Sequence, residues 1–315
     1  MGSPSDVDRA FDEYLHRIEL NPARVAKISE RYNSVKKQIE SQLNGAKVKQ
    51  VGSFQRKTKI RPITDNDNLD IDALVILSRA ERFVEDGLSP SRAMEKVRDS
   101  LKSDDTYKTM RPHSDSPVVV LKYADGFQFE FIPAYIDGTG KYIKRTEPAS
   151  YLVATSKGWM PNDYDYDAEC ITALNQSSTV QGKLVPFIKI IKMFSRDHEI
   201  PLKSFHTELL VAISLIPRLK DWEAHGYTWG YKHMLAEYFS AAARSVQTPA
   251  HLSGSVTPLQ DSHLSSKQLI SIGKDFKTLG EETWKLCKVD GPQGVRAWAR
   301  FMGSRFPETL GRIPG

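Results

Sequence analysis

Two carboxylates stand one residue apart at the start of an apolar run. Residues 67–77 read DNLDIDALVIL, with Asp70 and Asp72 ahead of ALVIL. Side chains alternate along a strand, so both aspartates point to one face of a strand that is otherwise apolar on both faces. Like charges placed there cost stability unless something positive neutralises them. The pair therefore predicts a site for a hard cation such as Mg²⁺, which prefers carboxylates, water and phosphate oxygens.

A third carboxylate is expected from a neighbouring strand, because phosphoryl-transfer sites commonly hold two metal ions. Glu130 is the candidate, since it lies in FQFEFI, where phenylalanines alternate with polar residues. A lone charge at such a position is costly, and its occurrence together with the acidic pair and a Gly-Ser turn at residues 52 and 53 favours a functional role. The alternative is that Glu130 pairs with a lysine at the sheet edge.

Gly52 and Ser53 mark a turn that leaves a short strand, VKQV, and enters a turn or short helix. Backbone N–H groups and a hydroxyl at such a turn suit a phosphate group. Gly-Ser is also an ordinary turn. The basic residues around it could equally form a solvated face: Lys47, Lys49, Arg56, Lys57, Lys59 and Arg61.

The elements that must position these residues form an α/β first half and a helical second half. Residues 7–44 have a helical pattern that Leu20-Asn21-Pro22 interrupts and Gly45 ends, and a further helix follows a serine cap in SPSRAMEKVRDSLKS. Residues 117–132 carry a hairpin signal around Ala124-Asp125-Gly126. The chain is expected to be irregular from Pro133 to about residue 167 and mostly helical afterwards.

Composition narrows the class of protein. The chain has 315 residues, 40% of them hydrophobic and 26% charged, and no run approaches the length of a membrane span. The start lacks the pattern of a secretion signal, and two distant cysteines, Cys170 and Cys287, argue against disulfide scaffolds and zinc sites. A reducing cytoplasm is therefore expected. The net charge of +5 favours phosphate-bearing partners but is too small to argue for nucleic acid.

VGSF, DIDALVIL and FEFIPAY together resemble the signature of the DNA polymerase β-like nucleotidyltransferase superfamily. More narrowly, the sequence is similar to the bacterial CD-NTases, relatives of cyclic GMP-AMP synthase and oligoadenylate synthase that make cyclic oligonucleotide signals in anti-phage (CBASS) operons. GSFQRKTKIRP, LVPFIKIIKMFSRDHEIPLKSFHTELL and WARFMGSRFP extend the resemblance over nearly the whole chain. It implies an α+β fold, a mixed sheet with flanking helices and a C-terminal helical bundle, with a catalytic core over 1–165 and a helical domain over 166–315.

The resemblance also implies site residues. Two Mg²⁺ or Mn²⁺ ions would be bound by Asp70, Asp72 and Glu130. The donor triphosphate would be held by Gly52, Ser53, Lys192 and Ser204. Glu130 departs from the family, in which the third carboxylate is more often Asp, so it would bind metal with altered geometry or act as the base for the acceptor hydroxyl. Lys189 rivals Lys192, and on so apolar a helix either could be an edge residue that only extends its charge to solvent.

The implied reaction joins nucleoside triphosphates, ATP among them, into a cyclic di- or trinucleotide that reaches a CBASS effector by diffusion. One alternative is a template-independent RNA nucleotidyltransferase of the tRNA-end or poly(A) type, which the scattered basic excess disfavours. The other is a catalytically inactive nucleotide-binding or toxin–antitoxin module, which has no need to crowd three carboxylates. Neither a membrane nor a stable nucleic-acid partner is expected.

The sequence ends in GRIPG, which has no helical or strand pattern and is typical of a mobile tail. The resemblance offers a second interpretation. Some CBASS synthases carry a C-terminal glycine that an operon-encoded ubiquitin-like machinery activates and joins to target proteins. Gly315 suits that chemistry because a residue without Cβ enters a narrow site easily.

Overall fold

The computed structural model describes residues 5–62, 69–79, 89–136, 150–258, 261 and 263–310, without the side chains of residues 78 and 79; Gly315 lies outside this range. The chain divides into two compact units. The sheet unit comprises Leu20–Cys170 and Ser253–Pro258. The helical unit comprises Met1–Glu19, Ile171–Leu252 and Leu259–Gly315. No helix of the described ranges is both long and apolar enough to span a bilayer.

The described part of the sheet unit contains one mixed sheet of seven strands. They are β1 (Lys47–Gln50), β2 (Leu69–Arg79), β3 (His113–Asp115), β4 (Val118–Lys122), β5 (Phe127–Ile136), β6 (Tyr151–Thr155) and β7 (Gly158–Asn162). The order is β1-β2-β5-β4-β3, and β6 pairs with both β5 and β7. Strands β2 and β5 are parallel, and the other described pairs are antiparallel.

Helices flank this sheet, as the patterning predicts. Those lying wholly in the sheet unit are α2 (Pro22–Gln42), α3 (Gly52–Gln55), α4 (Pro90–Lys102) and α5 (Asp105–Thr109). Asn21 caps α2, because its side-chain oxygen accepts a hydrogen bond from the N–H of Ala23 at 2.8 Å and Pro22 needs no backbone partner at the first position. The break predicted at Leu20-Asn21-Pro22 is confirmed.

The two faces of β2 belong to different cores, as its alternation predicts. Leu69, Ile71, Ala73 and Val75 pack in one buried cluster with apolar residues of α2 and α4 and with Phe127, Phe129 and Phe131 of β5. Leu74 and Ile76 point the other way, into a second cluster with Val51, Ile132, Ala134, Tyr151 and Val153. Asp70 and Asp72 share the face of Leu74 and Ile76, at the point where the apolar contacts of that face end.

Parts of the segment expected to be irregular after Pro133 form strands instead. Strand β5 runs through Pro133, which lies opposite Val75, to Ile136. Strands β6 and β7 form a hairpin that extends the sheet, and its turn passes through Gly158 at φ +114°. YLVAT is a short β-prone run whose pairing with β5 is non-local. The abundance of Asp, Tyr and Gly around it masked that signal.

The helical unit holds α1 (Asp6–Ile18), α7 (Leu184–Asp197), α8 (Ser204–Ala224), α9 (Tyr231–Ser245), α10 (Ser266–Leu286) and α11 (Gly291–Met302), and α6 (Tyr164–Gln176) crosses into it from the sheet unit. The sequence-based division at 165/166 put the first helix with the catalytic core. The structure groups it with the helical unit, because Phe11 packs edge-on against Trp298 and Phe306, with centroids 5.2 and 5.0 Å away.

Candidate active site

The parallel pairing of β2 with β5 brings the three predicted carboxylates onto one face of the sheet. Asp72 lies opposite Glu130, and Asp70 lies opposite Gln128. Directly paired residues of neighbouring strands project to the same side. We call this set, Asp70, Asp72, Gln128 and Glu130, the acidic face.

The Gly-Ser turn lies against the acidic face. The N–H of Val51 donates to the carbonyl oxygen of Asp72 at 3.0 Å, so the chain enters the turn alongside β2. Gly52 then adopts φ +68°, and a Cβ built on it would lie 2.3 Å from Asp72 Oδ2. Both the backbone angle and the lack of space require glycine. Ser53 follows with only 9% of its surface exposed.

The far end of the turn is tied to the same strand. The N–H of Thr58 donates to the carbonyl of Ser53 at 2.9 Å and closes the loop. The ammonium of Lys59 then donates to the carbonyl of Asp70 at 2.6 Å. The turn is thus anchored at its two ends to the main chain of the two aspartates, which fixes Gly52 and Ser53 relative to both carboxylates.

The pKa of Glu130 is raised by its crowded surroundings. Burial raises its pKa, and the negative charges of Asp72 and Asp70 raise it further. The Gln128 amide, which donates to Glu130 Oε1 at 2.9 Å, and the Lys59 ammonium act in the opposite direction. In the described part of the chain, no three His, Cys, Asp or Glu side chains converge closely enough to hold a metal ion as they stand. The carboxylates are therefore neighbours on one face rather than a closed cage.

Three further aspartates, at 163, 165 and 167, have structural partners that sequence reasoning missed. Asp165 accepts hydrogen bonds from Lys49 Nζ at 2.6 Å, Gln55 Nε2 at 2.7 Å and Tyr151 Oη at 2.6 Å. It therefore ties β1, α3 and β6 together beneath the turn. Two of the flanking basic residues thus make specific contacts: Lys49 binds Asp165, and Lys59 binds the carbonyl of Asp70.

Asp163 and Asp167 hold the short segment of residues 255–257. Asp163 Oδ2 accepts from the N–H of Val256 at 2.7 Å, and Asp167 Oδ2 accepts from Thr257 Oγ1 at 2.6 Å. Burial raises the pKa of Asp167, against the lowering effect of the Thr257 hydroxyl. The alternation of Asp and Tyr in DYDYD, residues 163–167, is the sequence pattern that could have predicted these buried carboxylates.

Lys192 and Ser204 lie in the helical unit, where Lys192 and the alternative candidate Lys189 have different partners. Lys192 is 6% exposed, and its Nζ lies 3.1 Å from Oε1 of Glu208, which has no exposed surface. Lys189 instead pairs with Glu19, at 2.6 Å. Ser204 is an exposed first residue of α8, one turn before Glu208. Both lysines form ion pairs, but only the pair of Lys192 with Glu208 is buried at both ends.

The chain is similar to several known proteins. Residues 6–160 match the model of the Second Messenger Oligonucleotide or Dinucleotide Synthetase domain. A probable cyclic nucleotide synthase of Bacillus cereus (strain VD146) is 23% identical over 290 residues, and the match covers 81% of this chain and 81% of that one. The structure of Escherichia coli MS115-1 CdnC with ATP superposes with a TM-score of 0.68 at 13% identity, over 95% of this chain and 98% of that one. The CD-NTase CdnG of Bradyrhizobium diazoefficiens, solved with GTP, gives 0.64 at 14% identity, over 94% and 97%.

These similarities support a CD-NTase. The predicted fold, a mixed sheet with flanking helices and a helical C-terminal region, is confirmed. The prediction of an enzyme of the oligonucleotide synthase class is confirmed as well. The individual roles of the acidic face, the Gly-Ser turn, Lys192 and Ser204 in this CD-NTase remain predictions.

Proposed function

We propose that this CD-NTase joins nucleoside triphosphates into a cyclic di- or trinucleotide and releases pyrophosphate. The observation that carries the proposal is the pairing of Asp72 with Glu130 across parallel strands, with Gly52 in close approach to Asp72. The match to a synthetase domain suggests the reaction class, and this geometry suggests where the reaction takes place.

The acidic face fits a pair of divalent cations by its chemistry. Its donors are carboxylate oxygens, which Mg²⁺ and Mn²⁺ prefer, and glycine at position 52 allows the Asp72 carboxylate to lie where any side chain at that position would stand. Asp70, Asp72 and Glu130 would hold the ions. When bound, such ions activate the attacking hydroxyl and stabilise the departing pyrophosphate.

The protein's own groups have separate tasks in this proposal. The Gly52–Ser53 turn offers main-chain N–H groups and a hydroxyl to the donor triphosphate. Lys192 and Ser204 are further candidates for contacts to the triphosphate. Glu130 accepts the proton of the attacking hydroxyl or holds that hydroxyl in line with the donor phosphate.

Incubation with labelled nucleoside triphosphates and Mg²⁺ or Mn²⁺, with and without RNA, tests the proposal. Small products that resist phosphatase support it, because a cyclic oligonucleotide has no terminal phosphate. Extended RNA would identify an RNA nucleotidyltransferase instead. No turnover under any condition would identify a binding module. ATP and GTP are the first nucleotides to try, since the solved relatives named above contain them.

The cellular role follows from the same proposal. The substrates are abundant in the cytoplasm, and we place the reaction there. The product acts as a diffusible signal to an effector in anti-phage defence. Phage plating on cells that carry the native operon tests this role: protection should be lost in the Asp70→Asn/Asp72→Asn variant. Equal protection by the wild type and this variant would show that the proposed reaction is not needed for defence.

A further inference from the structure

Gln128 is a buried amide within the acidic face. Its side chain is on the same side of the sheet as Asp70, its partner in the β2–β5 register, and 8% of its surface is exposed. Its Nε2 donates to Glu130 Oε1 at 2.9 Å, between residues two apart on one strand. Carboxylates crowd this face, and the amide is a neutral donor among them.

The hydrogen bond constrains Glu130 in a defined way. A glutamate side chain has several rotatable bonds. A hydrogen bond to one carboxylate oxygen restricts its orientation and leaves the second oxygen for another ligand. A hydrogen bond to a charged acceptor is stronger than one between neutral groups. An aspartate at position 130 would be one methylene shorter and would draw its carboxylate away from the amide.

We propose that Gln128 is the positioning residue for Glu130: its amide holds one carboxylate oxygen so that the other is presented to the metal ion or the acceptor hydroxyl. The side chain of Glu130 is long enough to accept this hydrogen bond, and a shorter carboxylate would lose it. This inference rests on the proposed role of the acidic face. The effect of Gln128 should therefore depend on which carboxylate stands at position 130.

A double-mutant cycle isolates this dependence. Its members are the wild type, Gln128→Met, Glu130→Asp and the double variant, since methionine fills similar space without a donor. Gln38→Met is the matched control, because its amide donates to the carbonyl of Ser100 and to Ser103 Oγ at 3.0 Å, outside the acidic face. Two readouts are used on the full chain: steady-state kcat and KM with nucleoside triphosphates, and sensitised luminescence of Tb³⁺ as a probe of the carboxylates without turnover.

With the native glutamate at position 130, we expect Gln128→Met to lower kcat about tenfold with little change in KM, and to weaken Tb³⁺ binding several-fold, consistent with one lost charge-assisted hydrogen bond. In the Glu130→Asp background, the same change should have less than a twofold effect on either readout. Equal losses in both backgrounds would overturn the proposal and leave Gln128 a packing residue. So would unaltered Tb³⁺ affinity.

The two proposals fail in different ways. If the wild type makes no product, the proposed reaction is wrong, and Tb³⁺ binding still tests whether Gln128 acts through Glu130. If the wild type is active and the cycle shows no coupling, the reaction stands and the positioning role does not. Gln38→Met should match the wild type in both readouts, and melting curves of all variants in the absence of metal report whether each one folds.

Discussion

The carboxylate of Asp72 occupies the space that a side chain at position 52 would need: a Cβ on Gly52 would lie 2.3 Å from Asp72 Oδ2 and 3.0 Å from Asp72 Cγ. The turn and the strand are joined at the same place by the hydrogen bond from Val51 to the Asp72 carbonyl, 3.0 Å long. The geometry of a candidate phosphate-binding turn and that of a candidate metal ligand are therefore one structural feature.

Gly52→Ala should lower activity by at least a hundredfold, because the methyl group displaces the Asp72 carboxylate. Gly45→Ala is the matched control, since Gly45 has a similar φ of +80° but nothing within 4 Å of a Cβ. Both variants should lose about 1 kcal/mol of unfolding free energy from the strained backbone. Pyrophosphate release and urea titrations measure the two quantities. Comparable activity losses in the two variants would show that strain, not the collision, matters.

Asp70→Asn/Asp72→Asn should reduce product formation below detection and leave the fold intact. Asparagine keeps the shape of aspartate, and removing two negative charges relieves the repulsion felt by Glu130. In metal-free buffer the melting temperature should therefore stay the same or rise. Near-normal synthesis by a folded double variant would remove the acidic pair from the mechanism.

Lys192 and Lys189 should differ in nucleotide binding. Lys192→Ala alone removes the ion-pair partner that Lys192 provides to the buried Glu208 carboxylate and is expected to destabilise the fold. Lys192→Gln/Glu208→Gln is the better test, because it replaces both charges with amides that can still hydrogen-bond to each other. This double variant should fold and should raise the KM for nucleoside triphosphates about tenfold or more. Lys189→Met, which breaks only the partly exposed pair with Glu19, should change KM less than twofold. The reverse order would assign the phosphate contact to Lys189.

His206 should make the helical unit sensitive to acid. It has no exposed surface, and neither ring nitrogen has a hydrogen-bond partner within the described residues. Burial lowers its pKa, against the opposing charge of Asp261, and His263 lowers it further.

The folded state therefore binds fewer protons than the unfolded state once the pH falls below the ordinary histidine pKa of 6.5, and stability falls from there towards the folded pKa. Melting temperatures between pH 7.5 and about pH 5 should fall more steeply for the wild type than for His206→Phe. His225→Phe, at an exposed position, should follow the wild type. Parallel curves for all three proteins would show that His206 does not contribute.

Local pattern predicted most of the site and a good part of the fold. The acidic pair, the two-sided apolar strand and the hairpin around Gly126 follow from alternation and turn chemistry within a few residues. The non-local contacts could not be predicted in this way. The pairing of Lys189 with Glu19 joins residues far apart in sequence, and so does the contact of Phe11 with Trp298.

The buried aspartates show the same limit. The sequence around Asp165 is typical of a polar loop. In the structure, however, Asp165 is 7% exposed and accepts hydrogen bonds from three donors in other elements. Its burial is stable because of those partners, and a single sequence does not reveal them. The hydrogen bond from Gln128 to Glu130 joins residues two apart in sequence. Its proposed role depends on the parallel register of β5 with β2, which places both residues beside Asp70 and Asp72, and the sequence does not predict that register.

Mass spectrometry of the reaction product, with pyrophosphate counted in the same sample, tests the central claim most directly. Closing a ring of n nucleotides releases n pyrophosphates, whereas a linear product of the same length releases one fewer and keeps a 5′-triphosphate. We predict one pyrophosphate per nucleotide joined and a product mass equal to that of the nucleoside monophosphates minus one water each, with neither signal from Asp70→Asn/Asp72→Asn. A product that keeps its triphosphate, or one that the double variant also makes, would contradict the account.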